Sequence, residues 1–179
     1  MQLEIGDYLI RDFVPEDAPA IARYANNPKI WINLRDGFPH PYTLRDAEDF
    51  LERVSSDDPR NIFAIASETE AIGAIGLMPR QDVHRFSAEM GYWLAEPFWG
   101  RGIATRAIIA VTQYAFEARN LHRIYAEPYA PNRASCRALE KAGFALEGIM
   151  RANVVKDGRI LDQFLYARVK PGLSYSPFE

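Results

Sequence analysis

The run Met90-Gly-Tyr-Trp-Leu-Ala-Glu-Pro-Phe-Trp-Gly-Arg-Gly-Ile-Ala-Thr105 constrains the fold of this chain more than any other segment. Phe86 to Leu94 reads as a strand, and Ile103 to Arg119 reads as a long helix. Between them the chain turns, and Gly100 and Gly102 lead directly into the helix. The first backbone N–H groups of a helix have no partner and carry partial positive charge. Glycine permits close approach, so such a turn can cradle a pyrophosphate, and Arg101 can add a charged contact. Glycine turns of purely geometric purpose are also common, so this motif needs a second signal.

Elements of both kinds surround that unit. Tyr8 to Phe13 reads as a first strand, and Pro15-Glu-Asp17 opens a helix with acids near its positive end. Trp31 to Tyr42 has no clear period and reads as a loop; Thr43 then caps a helix carrying Ala47, Phe50, Leu51 and Val54 at helical spacing. Asn61 to Ala66 and Ile72 to Leu77 read as a hairpin, with Phe86 to Leu94 as the central strand. In the helix from Ile103, the expected inner face is Ala104, Ile108, Val111 and Ala115, and the wet face is Thr105, Arg106, Thr112 and Gln113. Arg123 to Glu127 is a strand, Asn132 to Ala142 a helix with Gly143 at its C-cap, and a hairpin turning at Lys156-Asp-Gly158 closes the chain. The order is β-α-α-β-β-β-α-β-α-β-β, a mixed α/β (α+β) arrangement, and no repeat or linker divides residues 1–179, which read as one domain.

Composition excludes several classes. Twenty-one basic against 24 acidic residues, a net charge of −3, lacks the basic excess of a non-specific nucleic-acid binder, so no nucleic-acid partner is expected. No apolar run is long enough to suggest a membrane span, and the first ten residues carry Glu4 and Asp7 rather than a signal pattern, so no membrane partner is expected. The one cysteine, Cys136, cannot form an intrachain disulfide, which fits a cytoplasmic setting. On its helix it reads as a small buried hydrophobe rather than a nucleophile. His40, His84 and His122 lack ligand spacing, and no metal is expected.

The second signal is Glu127-Pro-Tyr-Ala-Pro-Asn132-Arg-Ala-Ser-Cys-Arg-Ala-Leu-Glu-Lys-Ala-Gly-Phe144. With Glu89-Met-Gly-Tyr-Trp-Leu94 and Trp99-Gly-Arg-Gly-Ile-Ala104, it resembles the GNAT superfamily of acyl-CoA-dependent N-acetyltransferases, in its RimJ/RimL-type branch. Trp99 stands where the family's pyrophosphate motif usually has Gln or Arg. The resemblance implies a mostly antiparallel twisted sheet of about six or seven strands, flanked by about four helices and splayed between its central strands. It implies acetyl-CoA as acyl donor, an amine acceptor (a protein N-terminus or a small molecule), direct transfer, and a monomer or homodimer. Backbone groups near Trp93, Leu94 and Ala95 would meet the pantetheine, and the N–H groups of Gly100, Arg101, Gly102, Ile103, Ala104 and Thr105 the pyrophosphate. Asn132 matches the asparagine that bonds the pantetheine arm, although an ordinary N-cap role fits it as well.

Acetyl transfer to nitrogen needs a neutral amine, a stabilised oxyanion and help for the departing thiolate. Glu89 and then Glu127 are the candidate proton acceptors by their match to family base positions. The family's usual acid, a tyrosine, is replaced by Leu139, and Ser135 matches the serine that serves in RimL-type relatives. Arg133, Arg137 and Lys141 share a helix face that suits either solvent or the CoA 3′-phosphate, while Trp31, Phe38, His40 and Tyr42 suit either the core or an acceptor wall. The rival reading is a catalytically silent acyl-CoA-binding or sensor domain.

Overall fold

A computed structural model describes residues 1–176. Its strands are β1 (Gln2–Glu4), β2 (Leu9–Arg11), β3 (Ile62–Ala66), β4 (Ala71–Pro79), β5 (Ser87–Leu94), β6 (Arg123–Ala126), β7 (Ala145–Lys156) and β8 (Arg159–Val169). Its α-helices are α1 (Ala18–Ala25), α2 (Pro28–Trp31), α3 (Leu44–Ser56), α4 (Ile103–Ala118) and α5 (Arg133–Lys141). The strands form one sheet in the order β1-β2-β3-β4-β5-β6-β8-β7. Every pairing is antiparallel except β5 with β6, which the α4 crossover joins in parallel.

Two elements exceed the sequence expectation. β1 is a three-residue edge strand with little apolar content, and α2 is a single turn inside a loop-like run, capped by Asn27 accepting from the Lys29 N–H at 2.9 Å. The α3 cap is as expected: the Thr43 hydroxyl accepts from the Asp46 N–H, and the Asp46 carboxylate accepts from the Thr43 N–H.

The central strands of the sheet are covered on both faces. Ile75, Leu77, Met90 and Ile124 meet α4 and α5 through Ile108, Val111, Ala115 and Leu139. On the other face Ala64 and Ala74 meet α1 and α3 through Ile21, Ala47, Leu51 and Val54. β5 alternates between the two cores, sending Ala88, Met90 and Leu94 to the first and Trp93 to the second. Thr112 corrects the expectation for α4. It is fully buried and its hydroxyl has no partner among the described residues, because the inner face of α4 is wider than its apolar period suggests.

One buried ion pair ties the start of the chain to α1. The Arg11 guanidinium makes two 2.7 Å bonds to the Asp17 carboxylate, which is 3% exposed and also accepts from the Val14 N–H. Burial alone would push this carboxyl up, but the Arg11 and Val14 bonds outweigh it and hold it below its ordinary value of 3.8. That contribution is present above the unfolded-state value and is lost as pH falls toward the folded one. Asp17→Asn should therefore destabilise by about 3 kcal/mol at neutral pH, because it leaves Arg11 half-buried and uncompensated. Urea unfolding checks this, and the gap to the parent protein should narrow by about pH 3. An equal gap at both pH values would remove the ion pair as its cause.

β5 and β6 share only the pairings Ser87↔Arg123, Ala88↔Ile124 and Glu89↔Tyr125. Beyond Glu89, β5 runs on to Leu94 without a partner on that side, and the sheet divides.

Candidate active site

The divided sheet opens a cleft of about 1370 Å³ between β5, β6 and the helix starts above them. At one end lies the glycine turn. Gly100 and Gly102 have φ of 76° and 72°, a left-handed conformation that side chains other than glycine's adopt at a cost of about 1–2 kcal/mol. The first intrahelical bond of α4 runs from the Arg106 N–H to the Gly102 carbonyl, and no side chain caps the helix. The amides of Gly100, Arg101, Gly102, Ile103, Ala104 and Thr105 are thus left open, an anion cradle made of backbone. The Arg101 guanidinium lies 5.6 Å above the Phe98 ring, and Arg101 is not among the residues that line the cleft. On the rim, Arg137 and Lys141 of α5 line the cleft, while Arg133 lies over Phe164.

Two of the expected pantetheine contacts need correction. The Ala95 N–H donates to the Ile72 carbonyl at 2.8 Å and its carbonyl accepts from Phe98, so both groups are engaged. Trp93 is paired with Ala74, and by strand alternation its backbone groups also turn to β4. The alternation leaves the backbone of Tyr92 and the N–H of Leu94 facing the gap. The Leu94 carbonyl is taken by the indole N–H of Trp99 at 2.7 Å, so Trp99 holds the end of β5 in place. From a sequence, the side to which a strand residue's backbone turns is invisible until the register is known.

The other end of the cleft holds Glu89 and Glu127. Glu89 ends the β5–β6 ladder, and its carboxylate, 14% exposed, accepts from the Arg35 guanidinium. The same guanidinium lies 3.9 Å from Glu127. Glu127 follows β6, and its backbone carbonyl accepts from Gln163 of β8 at 2.7 Å, with Gln163 in turn held by Asn153. Burial, and then the charge of Glu89, push the Glu127 carboxyl above its ordinary value against the pull of Arg35 and Arg80. Arg35 carried no signal in the sequence, since it reaches Glu89 across 54 positions.

Asn132 caps α5, its side-chain oxygen accepting from the Ser135 N–H at 3.2 Å, so its NH2 remains for a ligand. Ser135 faces the cleft and its Oγ lies 2.7 Å from the Tyr92 hydroxyl. Leu139 is fully buried in the core, and Cys136 is buried, its thiol pushed up first by burial. The aromatic segment divides. Phe38 and Tyr42 line the cleft with Trp93, and burial pushes the Tyr42 hydroxyl up to about 12. Trp31 stacks on His40 outside it and lies 4.1 Å beneath the Lys156 ammonium. Lys156 is itself buried and binds Asp36 at 2.9 Å, so the β7–β8 hairpin anchors the loop that presents Arg35. Among the described residues, no group of three or more His, Cys, Asp or Glu side chains is placed to hold a metal. Nor, among the described residues, is any helix long and apolar enough to cross a membrane.

The sheet is parted so that a slim ligand can enter, with open amides suited to an anion at one end and two carboxylates suited to proton transfer at the other. Residues 8–145 match the acetyltransferase (GNAT) domain, and the chain belongs to that family. Its chemistry is acetyl-CoA-dependent N-acetylation. The chain is 39% identical to an uncharacterised N-acetyltransferase of Bacillus subtilis, YoaA, over 94% of this chain and 97% of the relative. It is 26% identical to the spermidine N(1)-acetyltransferase of Escherichia coli K12, over 78% and 73%. Its fold superimposes on Mycobacterium smegmatis RimJ in complex with CoA-disulfide with a TM-score of 0.83, at 24% identity over 98% and 89% of the two chains.

Proposed function

We propose that the protein acetylates a protein N-terminal amine or a small-molecule amine by direct transfer, with the acceptor bound between Glu89, Glu127 and the wall of Phe38, Tyr42 and Trp93. The observation that carries this is the carboxylate pair, set in the same cleft as the open amides of residues 100 to 105. Acceptor amines arrive mostly protonated at neutral pH, with ordinary values near 8 for an α-amine and about 10.4 for lysine. Glu127, less acidic than an ordinary glutamate, is the better poised proton acceptor, and Glu89 keeps it so while Arg35 holds Glu89. The open amides receive the pyrophosphate, Tyr92 and Leu94 offer backbone groups to the arm, and the Asn132 NH2 adds a donor. The Ser135 hydroxyl meets the sulfur as the thiolate departs. This reading needs no metal. The name of one relative, a spermidine N(1)-acetyltransferase, supports a small-molecule amine.

The test is to incubate the protein with acetyl-CoA and a panel of polyamines, alkylamines and peptides with free N-termini, and to measure thiol release. Acceptor-dependent release is the expected result. Acetyl-CoA binding without turnover on any amine would favour the silent sensor.

A further inference from the structure

The Ser135 hydroxyl lies in α5, where a serine ordinarily bonds back to a carbonyl one turn earlier. It does not do so here. Among the described residues its Oγ has one partner, the Tyr92 hydroxyl at 2.7 Å, and that tyrosine comes from the unpaired stretch of β5 beneath the helix. Both residues line the cleft. The Tyr92 hydroxyl also lies 3.5 Å from the Ser135 carbonyl, too long to compete with the shorter contact.

We propose that Tyr92 is a positioning residue for the leaving group: it donates to Ser135 Oγ and so turns the serine's own proton toward the sulfur of the departing CoA. This rests on the reading of Ser135 given above. Two hydroxyls hold two protons, and one of them is used between the pair. With Tyr92 as the donor, the proton left over is the serine's, on a hydroxyl that lines the cleft. Burial pushes the Tyr92 hydroxyl well up, which keeps it a donor at any working pH. A donated bond also polarises the serine O–H, strengthening the one that it makes in turn. Leu139, at the position of the usual family tyrosine, is sealed in the core, so the phenolic hydroxyl beside Ser135 comes from β5 and not from α5.

The balance of the step limits what the pair can do. The carbon–sulfur bond breaks with its electron pair staying on sulfur, and the amine's proton goes to Glu127. A CoA thiolate, comparable to a cysteine thiolate with a value near 8.5, is a weaker base than a seryl or buried tyrosyl oxygen. The pair therefore supplies a hydrogen bond as charge develops on sulfur, and the thiolate takes its proton from water after departure. No oxyanion is left on the protein.

A donor aimed at sulfur lowers the pKa of the bound CoA thiol, which can be titrated in the binary complex by thiolate absorbance without knowing the acceptor. Tyr92→Phe and Ser135→Ala should each raise that pKa by about one unit, a tenfold change in the thiol–thiolate equilibrium. The double variant should go no further, and Ser135→Thr should retain the parent value. Turnover with an acceptor found in the panel should fall by about tenfold in each single variant, with KM for acetyl-CoA unchanged. A pKa raised by Ser135→Ala but not by Tyr92→Phe would overturn the role of Tyr92 and leave that of Ser135 standing. An unchanged pKa in Ser135→Ala would overturn both. Should Tyr92→Phe fail to fold, Tyr92→Leu, which is smaller and has no donor, takes its place in the same titration.

Discussion

Calorimetry should show that Gly102→Glu binds CoA about a thousandfold more weakly than the parent protein. In the proposed cradle a carboxylate at this position would face the phosphate charge, and two like charges about 4 Å apart near a protein surface repel by roughly 4 kcal/mol. The backbone adds to this. Gly102 caps α4 at φ 72°, and a built Cβ would come within 3.5 Å of the Arg106 guanidinium. Neither effect reaches the core, since Gly102 is exposed, so circular dichroism should report a folded protein. Gly102→Ala separates the terms, because it keeps the strain of about 1–2 kcal/mol and omits the charge. A folded Gly102→Glu variant with parental affinity would place the phosphates elsewhere and remove the amide cradle from the site.

The second large effect is on turnover. Glu127→Gln should lower kcat by about a hundredfold at neutral pH while leaving CoA affinity intact. The parent protein's activity should rise with pH as the Glu127 carboxyl ionises, and rise again as the acceptor loses its proton. The variant should lack the first rise. Stability should move the other way. A carboxyl whose folded-state pKa is raised contributes fully below its unfolded value and loses that contribution as pH climbs through the folded one. At neutral pH the ionised Glu127, beside Glu89, is therefore a burden on the fold, and the glutamine variant should melt slightly higher than the parent. A variant of parental activity would direct attention to Glu89.

Local signals in the sequence translated well. Thr43 before α3, Asn132 before its helix and the glycines at 100 and 102 each concern neighbours within one helical turn, and all three sit where their spacing puts them. The failures have a common cause. The pairing of Tyr92 with Ser135 spans 43 positions and that of Arg35 with Glu89 spans 54, so neither leaves a local pattern. Ala95 and Trp93 were assignable to a strand end but not to one side of it, since that depends on the Ile72 and Ala74 register. Thr112 looked wet because helical period locates the centre of a buried stripe better than its edge. β1 is too short and too polar to show a period of two at all.

The short β5–β6 ladder has one more consequence. An unpaired strand edge at the border of a sheet invites other chains to pair with it, and proteins blunt such edges with charge, proline or cover. Here the unpaired stretch from Met90 to Leu94 is not at the border but in the middle of an eight-stranded sheet, with the α4 and α5 starts on one face and the Phe38 loop on the other. The molecule thus keeps a vacant rung-bearing edge indoors. Another strand would have to enter the cleft to reach it, and on the proposed reading the amide-bearing arm of the acyl donor would lie along it as a partial ninth strand.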